Sequence, residues 1–172
     1  MDLILIRHAR AFDRDAAAWP DDSRRPLTAQ GREEFRVLAK RLGRAVRSVD
    51  LVESSGFVRA WQTAQILGEE TAWPAPSRLE RLEAGEGDDD ARIESLVRAL
   101  DGMRGMSTVA WVGHEPMLSR LASRLLCGST EGMRVDFKKG AAMALRVSPE
   151  GRAELLWMVT PRLAARMRRG TK

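Results

Sequence analysis

Short apolar runs alternate with stretches of helical periodicity along most of this chain. Leu3 to Ile6 is a continuous apolar run, the pattern of a strand covered on both faces. Pro26-Leu27-Thr28 opens a helix with Thr28 as N-cap, and Phe35, Leu38, Leu42 and Val46 then recur at helical spacing against Arg and Glu. Val49 to Val52 predicts a second strand, followed by the turn Glu53-Ser54-Ser55-Gly56. Val58 to Leu67 predicts a helix with Trp61, Ala64 and Leu67 on one face, and Ile93, Leu96, Val97 and Leu100 mark another. Thr108 to Val112 predicts a third strand, and Pro116 starts a helix carrying Met117, Leu118, Leu121, Leu125 and Leu126. Ala141 to Val147 and Glu154 to Thr160 read as two closing strands joined by Ser148-Pro149-Glu150-Gly151.

This alternation predicts an α/β three-layer sandwich, a mostly parallel central sheet with helices on both faces. Ligands of such sheets bind beyond the carboxyl ends of the strands. His8, the Ser54-Ser55 turn and His114 each follow a predicted strand directly, so three separate segments deliver polar groups to one rim. The 172 residues show no internal repeat and no linker, which predicts a single domain over 1–161 and a basic tail over 162–172.

Charge changes the picture only at that tail. Arg162, Arg166, Arg168, Arg169 and Lys172 stand there without an acidic residue and account for the whole net charge of +5. A neutral body with a basic end lacks the basic stripe and recognition module of a nucleic-acid-binding domain, and the tail is expected to be solvated and partly frayed. The lone cysteine, Cys127, excludes an internal disulfide framework and is expected to be a buried small residue at a helix end. No apolar run reaches the ~18 residues that span a bilayer. The chain starts directly on a strand, without a basic leader segment, so a soluble cytoplasmic protein is expected.

The chemistry concentrates in the two histidines. Both lie at a strand end, in Arg7-His8-Ala9 and in Gly113-His114-Glu115-Pro116. A neutral imidazole beside a guanidinium suits attack on an anion that the guanidinium holds, and a phosphoryl group is the obvious one. Two histidines and one cysteine offer no zinc spacing, so neither a metal nor another cofactor is expected. Asp88-Asp89-Asp90 reads as first-turn helix charge rather than a metal cluster.

These residues resemble the histidine phosphatase superfamily, with the phosphoglycerate mutase-like fold. Arg7-His8-Ala9 is similar to its arginine-histidine signature, Ser54-Ser55-Gly56-Phe57-Val58-Arg59-Ala60-Trp61-Gln62-Thr63-Ala64 to its second motif, and Gly113-His114-Glu115-Pro116 to its third. Arg25-Pro26-Leu27-Thr28 with Gly31-Arg32 matches the approach to the first long helix. Short length, Ala9 after His8, and Lys138-Lys139-Gly140 before a late strand look like the small SixA-type branch, the phosphohistidine phosphatases. The resemblance implies His8 as nucleophile, with Arg7, His8, Arg59 and His114 as catalytic and phosphate-binding residues. Two guanidiniums near His8 should depress its pKa, and His114, if protonated, would add a third positive charge. The second motif often carries a proline where this chain has Gly56, which should loosen the turn. Larger members take a general acid from the region of Arg81 to Gly87, where Glu83 and Glu86 are the candidates.

Leaving-group chemistry bears on the substrate. An alkyl phosphate expels an alkoxide whose conjugate acid is about as weak as water, pKa near ~15.7, and needs a placed proton donor. Phosphohistidine expels imidazole, whose protonated form has a pKa near ~6.5, and needs little acid help. Protein phosphohistidine is therefore the expected substrate. A small phosphomonoesterase acting on a sugar, nucleotide or polyphosphate, or a phosphate-binding module without turnover, are the alternatives. Arg14, Arg24, Arg25, Lys138 and Lys139 are the expected rim for such a partner, and neither nucleic acid nor membrane is expected to bind.

Overall fold

The computed structural model describes residues 1–85 and 89–167. Among these, six strands form one sheet in the order β3-β2-β4-β1-β5-β6: β1 is Asp2–Arg7, β2 Leu51–Ser54, β3 Ser77–Arg78, β4 Thr108–Gly113, β5 Ala142–Val147 and β6 Ala153–Val159. The pairs β1/β4, β2/β4 and β2/β3 are parallel, whereas β5 and β6 close one side as an antiparallel hairpin. The helices are α1 (Ala29–Ala45), α2 (Val58–Glu70), α3 (Asp89–Asp101), α4 (Met117–Cys127) and α5 (Pro161–Arg166).

Strand pleat divides the core into the two faces that the apolar run at the N-terminus implied. Ile4 and Ile6 of β1 join Phe35 and Leu38 of α1, Ala64 and Leu67 of α2 and Ala164 of α5. Leu3 and Leu5 point the other way, into Ile93 and Leu96 of α3 and Leu118 and Leu121 of α4. The result is a three-layer sandwich. Thr28 caps α1 as predicted, its side chain accepting from Gly31 N at 2.9 Å. Gly31 is required there, because a Cβ would lie 2.1 Å from the Arg10 carbonyl oxygen.

Several boundaries differ from the sequence reading. β2 starts two residues late, at Leu51, after Asp50, whose carboxylate accepts from Ser107 N (2.6 Å) and Thr108 N (2.9 Å). β3 escaped notice because two residues carry no period. Cys127 is exposed rather than buried, since α4 ends there and Gly128 takes the left-handed conformation that terminates it. The start of the basic tail is ordered as α5, capped by Thr160 and held to α1 by Arg41 Nη2 donating to Met167 O at 2.6 Å. Arg168, Arg169 and Lys172 lie outside the described residues, as do Glu86 and Asp88. No helix is long and apolar enough to cross a membrane, among the residues described.

Candidate active site

In-register parallel pairing brings the two histidines together. Arg7 of β1 pairs with Gly113 of β4, and the ladder runs one step further as His8 N donates to Gly113 O at 3.0 Å. On the far side of β4, Ser55 N donates to Val112 O at 3.0 Å. The rings of His8 and His114 consequently lie 5.1 Å apart, centroid to centroid, and both are buried. Arg59 enters from the first turn of α2, also buried, and Thr63 one turn on ties it to the strand: Ala9 N donates to Thr63 Oγ1 (3.0 Å), which donates to Arg59 O (2.7 Å). The structure therefore assembles Arg7, His8, Arg59 and His114 from three segments at the carboxyl edge of the parallel strands.

Each cation is anchored by the end of its guanidinium. Arg7 Nη1 donates to Phe137 O at 2.7 Å. Arg59 Nη1 donates to Asp22 O at 2.7 Å, and its Nη2 lies 3.0 Å from Asp22 Oδ2. Asp22 also takes Arg25 Nε on Oδ1 at 2.8 Å, and these two arginines hold its carboxyl below the usual range. Among the described residues, four buried side-chain polar atoms have no hydrogen-bond partner, and three belong to this cluster: Arg7 Nε, Arg59 Nε and His114 Nδ1. Buried polar atoms are normally paired, so three orphans in one place mark this cluster as the candidate site.

The His8 ring is fixed in one tautomer. Its Nδ1 lies 2.7 Å from the Ala9 carbonyl oxygen, which can only accept, so Nδ1 carries the proton and Nε2 keeps a free lone pair. Burial pushes the His8 pKa down to about 3, with smaller contributions from Arg59 and Arg7, against the Ala9 hydrogen bond. The guanidiniums thus act in the expected direction but second to desolvation. His114 falls to about 2, again through burial first and then through His8 and Arg59. It is a neutral imidazole, not the third positive charge that protonation would have supplied. Its Nε2 lies 2.8 Å from Ser55 Oγ, and the Phe57 ring lies 5.1 Å away, centroid to centroid. Glu115, next in the chain to His114, accepts from Ser119 N at 3.0 Å.

The other sequence candidates separate. Glu83 does reach the site turn, but as a clip: its Oε1 accepts from Gly56 N (3.1 Å) and from Arg78 Nε (2.7 Å). The Gly56 N–H ties the turn to Glu83. A proline there would have no N–H to donate, and a Cβ would lie 2.5 Å from Arg78 Nε and 2.6 Å from Glu83 Oε1. Arg25 is not a rim residue, because it is buried between Asp22 and the Phe12 carbonyl, to which Nη1 donates at 2.6 Å. Arg14, Arg24, Lys138 and Lys139 are exposed, and Lys138 pairs with Asp136 at 2.6 Å. Sequence reasoning missed Asp22 and Thr63. Thr63 carried a signal, four residues after Arg59 on the same helix face, whereas Asp22 acts through tertiary contact alone. Among the described residues no group of three or more His, Cys, Asp or Glu could hold a metal ion.

Comparison with known proteins gives the family and the fold. The family model of the histidine phosphatase superfamily (branch 1) matches residues 3–88. The phosphohistidine phosphatase SixA of Escherichia coli K12 is 30% identical over 162 residues, 94% of either chain. An uncharacterised protein of Picosynechococcus is 32% identical over 149 residues, 85% of either chain. A solved structure of the protein histidine phosphatase SixA complexed with tungstate superposes with a TM-score of 0.77 at 28% identity, covering 94% of this chain and 97% of that one. A structure of the α-ribazole phosphatase from Shigella flexneri shares the fold at a TM-score of 0.73, 23% identity, and 94% and 97% coverage.

Proposed function

The chain belongs to the histidine phosphatase superfamily and is a phosphatase, and from that premise we propose that His8 is its nucleophile and phosphohistidine on a partner protein its substrate. The observation that carries the mechanism is the His8 ring, held by Ala9 O with its Nε2 lone pair free inside a cluster of two arginines and a second histidine. Nε2 attacks phosphorus, and the bond from phosphorus to the leaving nitrogen breaks; the substrate ring carries a proton on its other nitrogen, so the electron pair that returns to the leaving nitrogen releases neutral imidazole. The Ala9 carbonyl then faces the positive charge that the phosphorylated His8 ring acquires. Water attacks phosphorus in turn, the P–Nε2 bond breaks, a water proton is lost, and neutral His8 is restored. Arg7, Arg59 and His114 surround the phosphoryl oxygens, where the transition state spreads its charge, so the reaction proceeds by positioning and electrostatics without a metal. That the SixA structure is a complex with tungstate, an oxyanion, supports an oxyanion ligand for this fold.

The engagement of Glu83 favours a phosphoramidate over an alkyl phosphate. A carboxylate oxygen that accepts from Gly56 N and Arg78 Nε serves the turn and is not held for proton donation. Imidazole leaves without such a donor, whereas an alkoxide does not. Room for a macromolecular substrate exists beside Arg7, where a groove of about 1040 Å³ is lined by Arg10, Lys138, Lys139 and Arg162 among others. With Arg14 and Arg24 on the loop that carries Asp22, these form the rim of the proposed partner site. The SixA relationship and this chemistry together support a cytoplasmic enzyme acting on a phosphorylated protein. The α-ribazole phosphatase neighbour keeps a small phosphomonoester as the second reading.

A panel of phosphohistidine proteins and small phosphate esters, assayed for phosphate release, tests the assignment. Phosphohistidine should be hydrolysed fastest, and Glu83→Gln should lower that activity only modestly while affecting alkyl esters more. Faster turnover of an alkyl ester, or a severe loss of phosphohistidine turnover in Glu83→Gln, would move the assignment to a phosphomonoesterase. Arg59→Ala should cost about 3 kcal/mol of transition-state stabilisation, the usual loss for one oxyanion donor. Arg59→Lys should also be impaired, because an ammonium cannot reproduce the planar fork whose two nitrogens meet Asp22 O and Asp22 Oδ2. Wild-type kcat/KM in Arg59→Lys would show that charge alone suffices.

A further inference from the structure

Ser55 is fully buried and touches the second histidine rather than the first. We propose that Ser55 is a positioning residue that sets the tautomer of His114, so that His114 presents an Nδ1–H donor to the phosphoryl oxygens. The inference rests on the phosphatase reading of the site and adds to it which nitrogen of the second histidine works and what holds it there.

The hydrogen-bond inventory decides between two arrangements. Ser55 Oγ accepts from Phe57 N at 3.2 Å and lies 2.8 Å from His114 Nε2. If Nε2 carried the proton, Ser55 would accept twice and its own hydroxyl hydrogen would have no use in this contact. The unprotonated Nδ1 would then stand as a lone pair in a pocket built for an anion, opposing the ligand. If Ser55 instead donates to Nε2, the hydroxyl both accepts and donates, and its inventory is filled. His114 Nδ1 must then carry the hydrogen. That nitrogen is buried without a protein partner, as are Arg7 Nε and Arg59 Nε, and all three orphans become donors of one sign. Burial favours the neutral ring in either case, which makes the choice of tautomer the choice of whether His114 attracts or repels an oxyanion.

Phe57 contributes to the same fixation. Its ring lies 5.1 Å from that of His114, and Arg59 Cζ lies 5.1 Å over the same Phe57 ring, so packing on the Phe57 ring hinders rotation of the imidazole. His8 and His114 would then share one tautomer through different means, a backbone carbonyl on Nδ1 for His8 and a serine hydroxyl on Nε2 for His114. The two rings have opposite tasks: His8 offers its unprotonated nitrogen to phosphorus, and His114 its protonated one to oxygen.

The chain has only two histidines, so ¹⁵N NMR of the ring nitrogens reads both directly at neutral pH. Wild type should show two neutral Nδ1–H rings. Ser55→Ala should shift His114 toward the Nε2–H form, leave His8 unchanged as internal reference, and lower kcat about 10²-fold, the scale of one lost oxyanion donor. Ser55→Thr, which retains the hydroxyl, should keep the wild-type tautomer and most of kcat; the wild-type spectrum stands by itself if the extra methyl prevents folding. An Nε2–H ring at His114 in wild type would overturn the proposal, as would an unaltered tautomer or unaltered kcat in Ser55→Ala. Failure of the phosphatase reading would look different, as absent turnover in wild type with the tautomers unaffected.

Discussion

His8→Ala is expected to lower turnover at least about 10⁴-fold, to the residual rate left by binding and charge alone, while the chain stays folded. The size of the effect follows from the division of labour in the cluster. In the mechanism proposed above Arg7, Arg59 and His114 act as donors, and His8 Nε2 is the nitrogen left with a free lone pair and a fixed orientation. Folding should survive because His8 makes one side-chain hydrogen bond, to its own neighbour Ala9, worth about 1 kcal/mol net. His8 is buried, not a rim residue, so a cavity adds to this cost. His8→Gln keeps more of the volume and guards against that complication. Wild type mixed briefly with substrate and quenched should carry acid-labile phosphate on His8, and neither variant should carry any. Label on a serine or a carboxylate would end the proposed mechanism.

The elements that position this site were legible because each rests on a local pattern. Apolar runs located β1 and β4, helical periodicity located α1 and α2, and their order placed Arg7, His8 and His114 at strand ends. Arg59 was visible as part of a motif at a helix start. What could not be read depends on contacts between distant segments. Asp22 holds Arg59 across 37 residues, and no periodicity or spacing announces such a pair. Arg25 looked like a free cation next to a proline, but Asp22 and the Phe12 carbonyl draw it into the interior. Glu83 was identified as a carboxylate near the site, and only its hydrogen bonds to Gly56 and Arg78 distinguish a clip from an acid. Gly56 and Glu83 explain one another: the turn without proline has an N–H to offer, and the carboxylate takes it. The causes of the histidine pKa shifts were likewise out of reach, since burial is a property of the packed sandwich.

The same burial should make the fold acid-labile in a window where carboxylates contribute little. A histidine buried in neutral form has a folded pKa below its unfolded value of about 6.5. The unfolded chain then binds more protons than the native one between the two values, so stability rises with pH there. For His8 the window runs from about 6.5 down to about 3, and for His114 down to about 2. Their contribution is complete above the upper value and is lost as pH falls below it. By around pH 5 the loss should reach about 2 kcal/mol per histidine and about 4 kcal/mol for the pair. Asp22, whose pKa is lowered, adds to the loss only in the more acid range below its ordinary value of 3.8. Glu115 has the opposite sign, since burial raises its pKa above 4.5 and the native state then holds a proton that the unfolded chain releases, which offsets part of the loss at the acid end. Denaturant unfolding from neutral pH to around pH 5 should therefore approach a slope of two protons, and His8→Gln should reduce it to about one. A wild-type slope of one or less would mean that one of the two rings titrates in the folded protein. Activity should show no matching acid limb near 6.5, because the native His8 retains its lone pair well below that pH. The nucleophile and the fold would thus part company in acid, with chemistry competent in each native molecule while the native population declines.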